Sequence, residues 1–530
     1  MRNPLMLGAF VLLVFSGALI NSPSCGRAAE KEGIRQAAVA GSFYPADPKE
    51  LAKIVDRFLA GAAVPSFDGP VVAVVSPHAG YEYSGEVAAY SYAAPKGRKT
   101  ERVVVVAPSH YDAFSFVSVY NGCAYATPFG TIPVDKTFAA QLAAMSPLIK
   151  LSDRGHRVSA EQREHSIEVQ LPFLQRVLGP FKLVPIIMGD QSYGSCRALG
   201  LGLAKLIHEP ETLIVASSDL SHYHTYDQAE KEDHKTLKAI EEWDYLNMAQ
   251  NFEARVWEAC GGGPIIATMI AAERLGANEA KVLKYANTGD VTGDRSRVVG
   301  YGAVALIKAP RSSSSNESTF ALSRTERNRL LEIARESVKT AVTEHKLYEC
   351  PEPGIASLDQ ERGAFVTLTE KGRLRGCIGY IAPLKPLYLT VRDVAAFAAI
   401  KDSRFRPVAA SELGELKCEI SVLSPLRRVL DIKQIQVGRD GLVVRRGSEE
   451  GLLLPQVAAQ EGWNLKTFLE QTCLKAGLPP DSWGDEQTDI FMSTARIFGD
   501  QHPLDTLIFG KSWFPAAAGL PAPPPGSAFP

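Results

Sequence analysis

The stretch SSDLSHYHTYD, residues 217–227, follows directly on the apolar run LIVA (213–216). It sets Asp219, His222, His224 and Asp227 at the point where a buried strand would end. The chain holds only ten histidines. Two imidazoles between two carboxylates therefore form a concentrated set of groups that can bind a metal or move a proton. Two other apolar runs end the same way: His78 stands three residues past VVAVV (71–75), and His110 three past VVVVA (103–107). One histidine after a strand is ordinary loop structure. Three strand ends that each carry such a group point to a shared site, because sites in open α/β sheets gather outside the carboxyl ends of the strands.

Cys260 lies in ACGGGPI, just ahead of an apolar helical stretch. The glycines let backbone approach closely, and Pro264 suits a first helical position. A helix N-terminus favours the thiolate, which is the form a metal ligand takes. The plainer alternative is a small buried hydrophobe. EQREHSIEVQLPFL (161–174) adds Glu164, His165 and Glu168. These residues either cap a helix start or, for His165, line the pocket. His224 and His234 are surface or supporting candidates.

The elements that must position these groups follow from periodicity. VVAVV, VVVVA, LVPIIM (183–188) and LIVA read as strands buried on both faces. DPKELAKIVDRFLAG, SIEVQLPFLQRVL and PIIATMIAAERLGA have helical spacing, so an α/β sheet covered by helices is expected. YANTGDVTGDRSRVVGYG reads as a tight loop before a closing strand, VVGYGAVALIKA. The Ser-rich segment 309–322 reads as a linker between a first domain at 36–308 and a second at 323–513. Ser323 and Glu326 form a capping-box pattern for a helix that opens the second, α+β domain. GAFVTLTEKGRLRGCIGYI then reads as a hairpin turning at Lys371-Gly372, and PLYLTVRDVAAFAAIKD as a helix. CEISVLSP and GLVVRRG read as strands, and GLLLPQVAAQEGWNLKTFLEQTC as a loop followed by a helix. The Pro/Ala/Gly-rich tail 514–530 reads as disordered.

Composition bounds the function. With 530 residues, the chain is too long for one core. A net charge of −2 and no basic block give no field to hold nucleic acid. No P-loop, GxSxG or GxGxxG motif is present, which argues against nucleotide and serine-hydrolase chemistry. The eight cysteines form no CxxC pair and no disulfide framework. Residues 1–30 read as an export signal: a short basic start, the apolar run LMLGAFVLLVFSGALI (5–20) and a small-residue exit. An uncleaved anchor is the rival, and Cys25 is a candidate lipid acceptor. The expectation is an exported, periplasmic or lipid-anchored protein, or a cytoplasmic one if that signal is not used. Membrane contact would come only through this N-terminal signal or anchor.

GSFYPADP, SPHAGYEYSG, APSHYD, TPFGTIPVD, EHSIEVQLPFL, SSDLSHY, ACGGGPI and NTGD occur in the order seen in the Memo family. The first domain resembles that family. The resemblance implies a fold like the class III extradiol dioxygenases, with metal ligands at His78, His110 and Cys260. It sets Asp219 and His222 beside them as acid/base groups, and His165 joins these as a candidate. The dioxygenases hold Fe(II) with two histidines and a carboxylate, whereas here Cys260 takes the carboxylate's place. Iron is the first choice of metal, and the softer donor set also suits copper or zinc. LRGCIGYIAPLKPL (374–387), AFAAIKDSRFRPV (396–408) and CEISVLSPL (418–426) resemble the AMMECR1 family. There Cys377, with Arg375 and Arg404, is a candidate second site, as a nucleophile or redox thiol or else as a packed small residue. Asp402, Arg404 and Arg406 would bind an anion or pair at the surface.

Together the two halves resemble components B and A of the AmmeMemoRadiSam set, which implies a radical SAM protein as partner. The expected function is redox or oxygen-linked chemistry at one transition metal. The alternatives are a zinc hydrolase, and a non-enzymatic protein whose pocket binds a small molecule or peptide.

Overall fold

The computed structural model describes residues 33–208, 210–310, 322–381, 385–429, 431–447, 449–485 and 487–500. The expected signal, nearly all of the Ser-rich linker and the Pro-rich tail lie outside the described residues. Among the described residues no helix is long and apolar enough to cross a membrane.

The first domain is built on a nine-stranded sheet. Its centre is four parallel strands in the order Val71–Ser76, Thr212–Ser217, Arg102–Pro108 and Lys182–Met188. The apolar runs form them because both faces are covered. Along Arg102–Pro108, Val104 and Val106 enter the core on one face while Val103, Val105 and Ala107 enter the core on the other. Helices Tyr193–Leu206 and Gly262–Arg274 cover the first face. Helices Pro48–Gly61, Tyr81–Ala93 and Leu171–Leu178 cover the second. All four central strands point their carboxyl ends to one edge, so the loops carrying His78, His110 and Asp219 emerge side by side. This is the α/β arrangement the hydrophobic runs predict.

Local differences from the sequence reading have physical causes. The expected closing strand, Val298–Ile307, is the last of the first domain, and it runs antiparallel inside the sheet, between Val71–Ser76 and Glu279–Asn287. The NTGD stretch is not a plain loop: Asn287 caps a short helix, Thr288–Thr292, in a reciprocal capping box with Asp290. SIEVQLPFLQRVL opens as a 3-10 turn, Glu168–Gln170, before the helix Leu171–Leu178. Cys123 is disulfide-bonded and six other cysteines are free thiols, so the cysteines form no disulfide framework among the described residues.

The second domain is an antiparallel seven-stranded sheet. Its helices Arg324–Thr343 and Leu387–Ile400 pack on one face, with Leu330, Val338, Val394 and Ala398 meeting Val366 and Leu368. Ser323 and Glu326 make the expected capping box. The hairpin Ala364–Glu370 to Arg373–Tyr380 turns at Lys371 and Gly372, both at positive φ (50° and 76°). The segment 451–473 departs from expectation. Glu449–Leu453 is a strand paired with Asp440–Arg446, and Pro455–Gln460 is a helix preceding the expected one, Leu465–Lys475. The two domains share apolar packing, since Val443 and Phe491 of the second join the core of the first.

Candidate metal centre

The carboxyl edge of the parallel sheet brings three groups together. One ligand atom each from His78, His110 and Cys260 lies within 4.8 Å of the others. His78 is 1% exposed. Its Nδ1 meets Ser217 Oγ at 2.9 Å, which leaves Nε2 facing Cys260 Sγ at 3.1 Å. His110 turns Nδ1 to Glu164 Oε1 at 3.0 Å, so its other nitrogen is the one left for a ligand. The rings of His78, His110 and His165 have centroids 4.8 to 5.5 Å apart.

Cys260 reaches this point because backbone packs against backbone. A Cβ on Gly261 would lie 2.4 Å from Ser217 O, and one on Gly263 would lie 2.7 Å from Gln191 Cβ. Gly261 N–H donates to Ser218 Oγ at 2.9 Å. Gln191 clamps the turn by donating to Cys260 O (2.9 Å) and accepting from Gly263 N–H (2.8 Å). The helix begins at Gly262, so Pro264 sits third in it, within the first turn but not at its first position. The Asp219 backbone N–H donates to Cys260 Sγ at 3.2 Å.

Electrostatics refine the thiolate expectation. Burial, with the Asp219 carboxylate beside it, pushes the Cys260 thiol well above its ordinary range despite the helix terminus. The sulfur carries charge there only if a cation sits against it. Burial, with His110, His165 and His222 nearby, holds His78 well below its ordinary value, so it is the neutral imidazole a metal requires. Burial opposes charge on His110, but its bond to Glu164 wins and raises it. Glu164 is correspondingly held down at about 2, against the cost of its burial, by its bonds from His110. Burial pushes Asp219 up to about 6 and His165 down to about 4. Nδ1 of His165 is buried with no hydrogen-bond partner. The neutral imidazole of His78, a sulfur that needs a cation, and an orphaned ring nitrogen beside them fit a transition-metal ion, which would replace the proton that Glu164 favours on His110.

His222 lies on the short strand His222–His224 and is close enough to His78 and Asp219 for its charge to act on both. Its Nδ1 meets Leu220 O at 2.8 Å, which leaves Nε2 free of that bond. His224 turns away to Glu258 (3.0 Å), and His234 bonds the Glu230 carbonyl on an exposed helix face.

The EHSIEVQ segment is the frame of this site rather than a helix cap. Glu164 accepts from the backbone N–H of His110 (2.6 Å), His165 (2.9 Å) and Ser166 (3.1 Å). With its oxygens filled in this way, Glu164 supports His110, although His110, Glu164 and His165 also lie within 4.8 Å of one another. Glu168 is fully buried and accepts from Arg35, Ala38, Val39 and Tyr44. It thereby pins residues 35–44 so that the Phe43 ring meets His165 at 4.6 Å. Gln170 donates to Ser217 Oγ (2.8 Å) and Pro77 O (2.9 Å), holding the His78 loop. Sequence reading missed Ser217, Gln170 and Gln191. Serine and glutamine carry no signal of their own: Ser217 lies within SSDL and Gln170 just past EHSIE, while no quoted motif contains Gln191.

The second-domain candidates form a different kind of cluster. Cys377 N–H donates to Asp402 (2.8 Å), Arg404 pairs with Asp402 (2.7 Å) and donates to Cys377 O (3.0 Å). Arg375 pairs with Glu412 (3.1 Å) and donates to the Arg406 and Pro407 carbonyls. Arg406 reaches Glu412 at 3.5 Å, with a mostly exposed side chain. Thr367 Oγ1 donates to Cys377 Sγ at 3.3 Å, and burial pushes the thiol up.

Comparison with known proteins matches residues 35–305 to the family model for Memo-like proteins, and residues 331–498 to that for AMMECR1. A MEMO1 family protein of Methanopyrus kandleri is 40% identical over 283 residues, covering 51% of this chain and 98% of that protein. One of Nitrosopumilus maritimus is 36% identical over 280 residues, covering 52% and 100%. One of Methanobrevibacter smithii is 38% identical over 282 residues, covering 51% and 98%. Among solved structures, an uncharacterized protein of Pyrococcus horikoshii is 40% identical and aligns with 33% of this chain and 91% of its own at a TM-score of 0.32.

Proposed function

We propose a function from this premise: the chain belongs to the Memo-like protein family and carries an AMMECR1 domain behind it. Its first domain holds one transition-metal ion on His78, His110 and Cys260 and acts there on a small substrate. The observation that carries this reading is the convergence of those three ligand atoms within 4.8 Å from positions far apart in the chain. A bound ion would supply Lewis acidity and, if iron or copper, electron exchange.

The chain's own residues do the rest. Ser217 and Glu164 fix the two imidazoles by their Nδ1 atoms. Asp219 is placed to take up and release a proton more readily than an ordinary carboxylate, because burial raises it to about 6. His222, its Nδ1 tied to Leu220 O, offers Nε2 to take a proton from a substrate and return it. His165 and Phe43, with ring centroids 4.6 Å apart, would screen one side of the site from water.

Redox or oxygen-linked chemistry is the first form of this proposal, with iron as the metal. A zinc hydrolase is the second, supported by the donor set of two imidazoles and one thiol, which is a zinc-type set with room for a further ligand. Metal analysis of untagged protein, before and after reconstitution with Fe(II), Cu and Zn(II), tests both. Stoichiometric iron or copper supports the redox form, and stoichiometric zinc supports hydrolysis. Protein that stays metal-free after all three additions defeats the reading. Substituting Cys260→Asp would test the role of sulfur, with catechol cleavage gained in that variant and absent from the parent. A radical SAM partner and export to the periplasm belong to the same proposal, tested by co-purification and by cell fractionation.

A further inference from the structure

A cavity of about 390 Å³ lies at the seam between the two domains, away from the histidine cluster. That volume falls in the range of small-molecule sites, which favour domain interfaces. The seam that shapes it is built. Asp489 of the second domain accepts from Arg428 (3.0 Å) and pairs with Arg197 and Arg274 of the first. Lys235 meets Glu361 at 3.5 Å, and Glu242 meets Arg362 at 3.3 Å, both across the seam.

The wall has two characters. Leu246, Trp257, Ile381 and Leu426 give it an apolar side. Groups of both signs line the rest and already meet one another: Glu242 pairs with Arg362 at 3.3 Å and with Lys238 at 3.8 Å, and Asp244 accepts from Asn247. Two of these are deeply buried, Arg362 at 6% exposure and Asp244 at 7%. Burying a charge is costly unless it is matched. The Asp244 carboxyl has no ion-pair partner among the described residues, and burial, with Glu242 close by, pushes it up to about 7. A ligand of one sign would upset this balance, since an ammonium beside Asp244 also meets Lys238 and Arg362, and a carboxylate beside those two also meets Glu242 and Asp244. A ligand carrying an ammonium and a carboxylate close together satisfies both, and its body would fill the apolar side against Trp257.

We propose that this seam cavity is a second ligand site, separate from the proposed metal centre, for a small zwitterion with an apolar body, of the size and chemistry of an aromatic α-amino acid. The ammonium would face Asp244 and Glu242, and the carboxylate would face Lys238 and Arg362.

Calorimetric titration of the full chain with L-phenylalanine, phenethylamine and 3-phenylpropionate tests this. Phenylalanine is expected to bind at least about tenfold more tightly than either single-charge analogue. Asp244→Asn should reduce phenylalanine to the level of 3-phenylpropionate, and the more exposed Lys238→Met to the level of phenethylamine. Binding should persist in His78→Ala, which removes a proposed metal ligand. No heat with any probe up to about 10 mM, equal affinity for all three, or affinity unchanged in both seam variants would overturn the site. Loss of binding in His78→Ala would also overturn it by moving the ligand to the metal centre.

Discussion

Cys260 and Cys377 look alike in sequence and differ in what surrounds them. Each stands in a glycine-rich motif, each has a carboxylate and basic residues near it, and burial raises the thiol of each. At Cys260 the neighbours are ring nitrogens whose other nitrogens are tied to Ser217 and Glu164, so lone pairs converge on the sulfur's side. At Cys377 the neighbours spend their bonds on backbone. Asp402 and Arg404 hold the Cys377 N–H and carbonyl, and Thr367 gives its hydroxyl to the sulfur. The glycines differ in the same way. Gly261 and Gly263 let the Cys260 turn dock on the sheet edge, whereas a Cβ on Gly376 would lie 2.0 Å from Ala398 O, and one on Gly379 2.2 Å from Phe365. A cysteine beside glycines thus meets converging ring nitrogens in one domain and neighbours that bond its backbone in the other.

The largest effect should come from deleting ligands. Cys260→Ala or His78→Ala should abolish stoichiometric metal, while Cys377→Ala should leave it unchanged, as read by elemental analysis. Equal metal content in all three variants would erase the distinction. Glu164→Gln keeps the ring in place but weakens its orientation, so a loss of about 10- to 100-fold in metal affinity is expected, measured by competition with a chelator.

The glycines come next. Gly376→Ala forces a methyl onto the Leu387–Ile400 helix backbone and should cost about 1–3 kcal/mol of second-domain stability without touching metal content. Gly261→Ala should do the reverse in kind, lowering metal affinity. Thermal unfolding and metal titration of the two variants separate these outcomes.

The domains should also part in acid. Burial and the charge of Arg35 hold His156 at about 3 instead of 6.5. Between those values the unfolded state binds more protons, so stability is full above about 6.5 and falls as pH drops toward 3. In the second domain Glu412, bonded by Arg375, sits at about 2 instead of 4.5, so its contribution is lost only below about 4.5. Melting curves across pH should therefore show the first domain weakening first, and His156→Gln should flatten that slope. The smallest effect is expected from Arg406→Ala. Its side chain is mostly exposed, and a change within about 0.5 kcal/mol should leave the Arg375–Glu412 pair intact.

Much of this was legible in the chain. VVVVA reads as a doubly buried strand because apolar side chains alternate into two cores. Lys371-Gly372 reads as a hairpin turn, and Ser323 with Glu326 as a helix start, because both signals are local. The misread pieces are those whose partners are distant. Glu449–Leu453 is a strand only because Asp440–Arg446 offers it an edge. Tyr285, Ala286 and Asn287, read as the start of a loop, end the strand Glu279–Asn287 because that strand pairs along Val298–Ile307.

The sequence by itself determined which residues reach the sheet edge, because a parallel strand aligns its carboxyl end with its neighbours and whatever follows emerges there. Only tertiary structure decided that Glu164 orients His110, that Gln191 clamps the Cys260 turn, and that Asp489 gathers arginines from both domains. Those contacts join residues tens to hundreds of positions apart, and a side chain's partner at that range is fixed by how the layers pack rather than by any local preference of the chain.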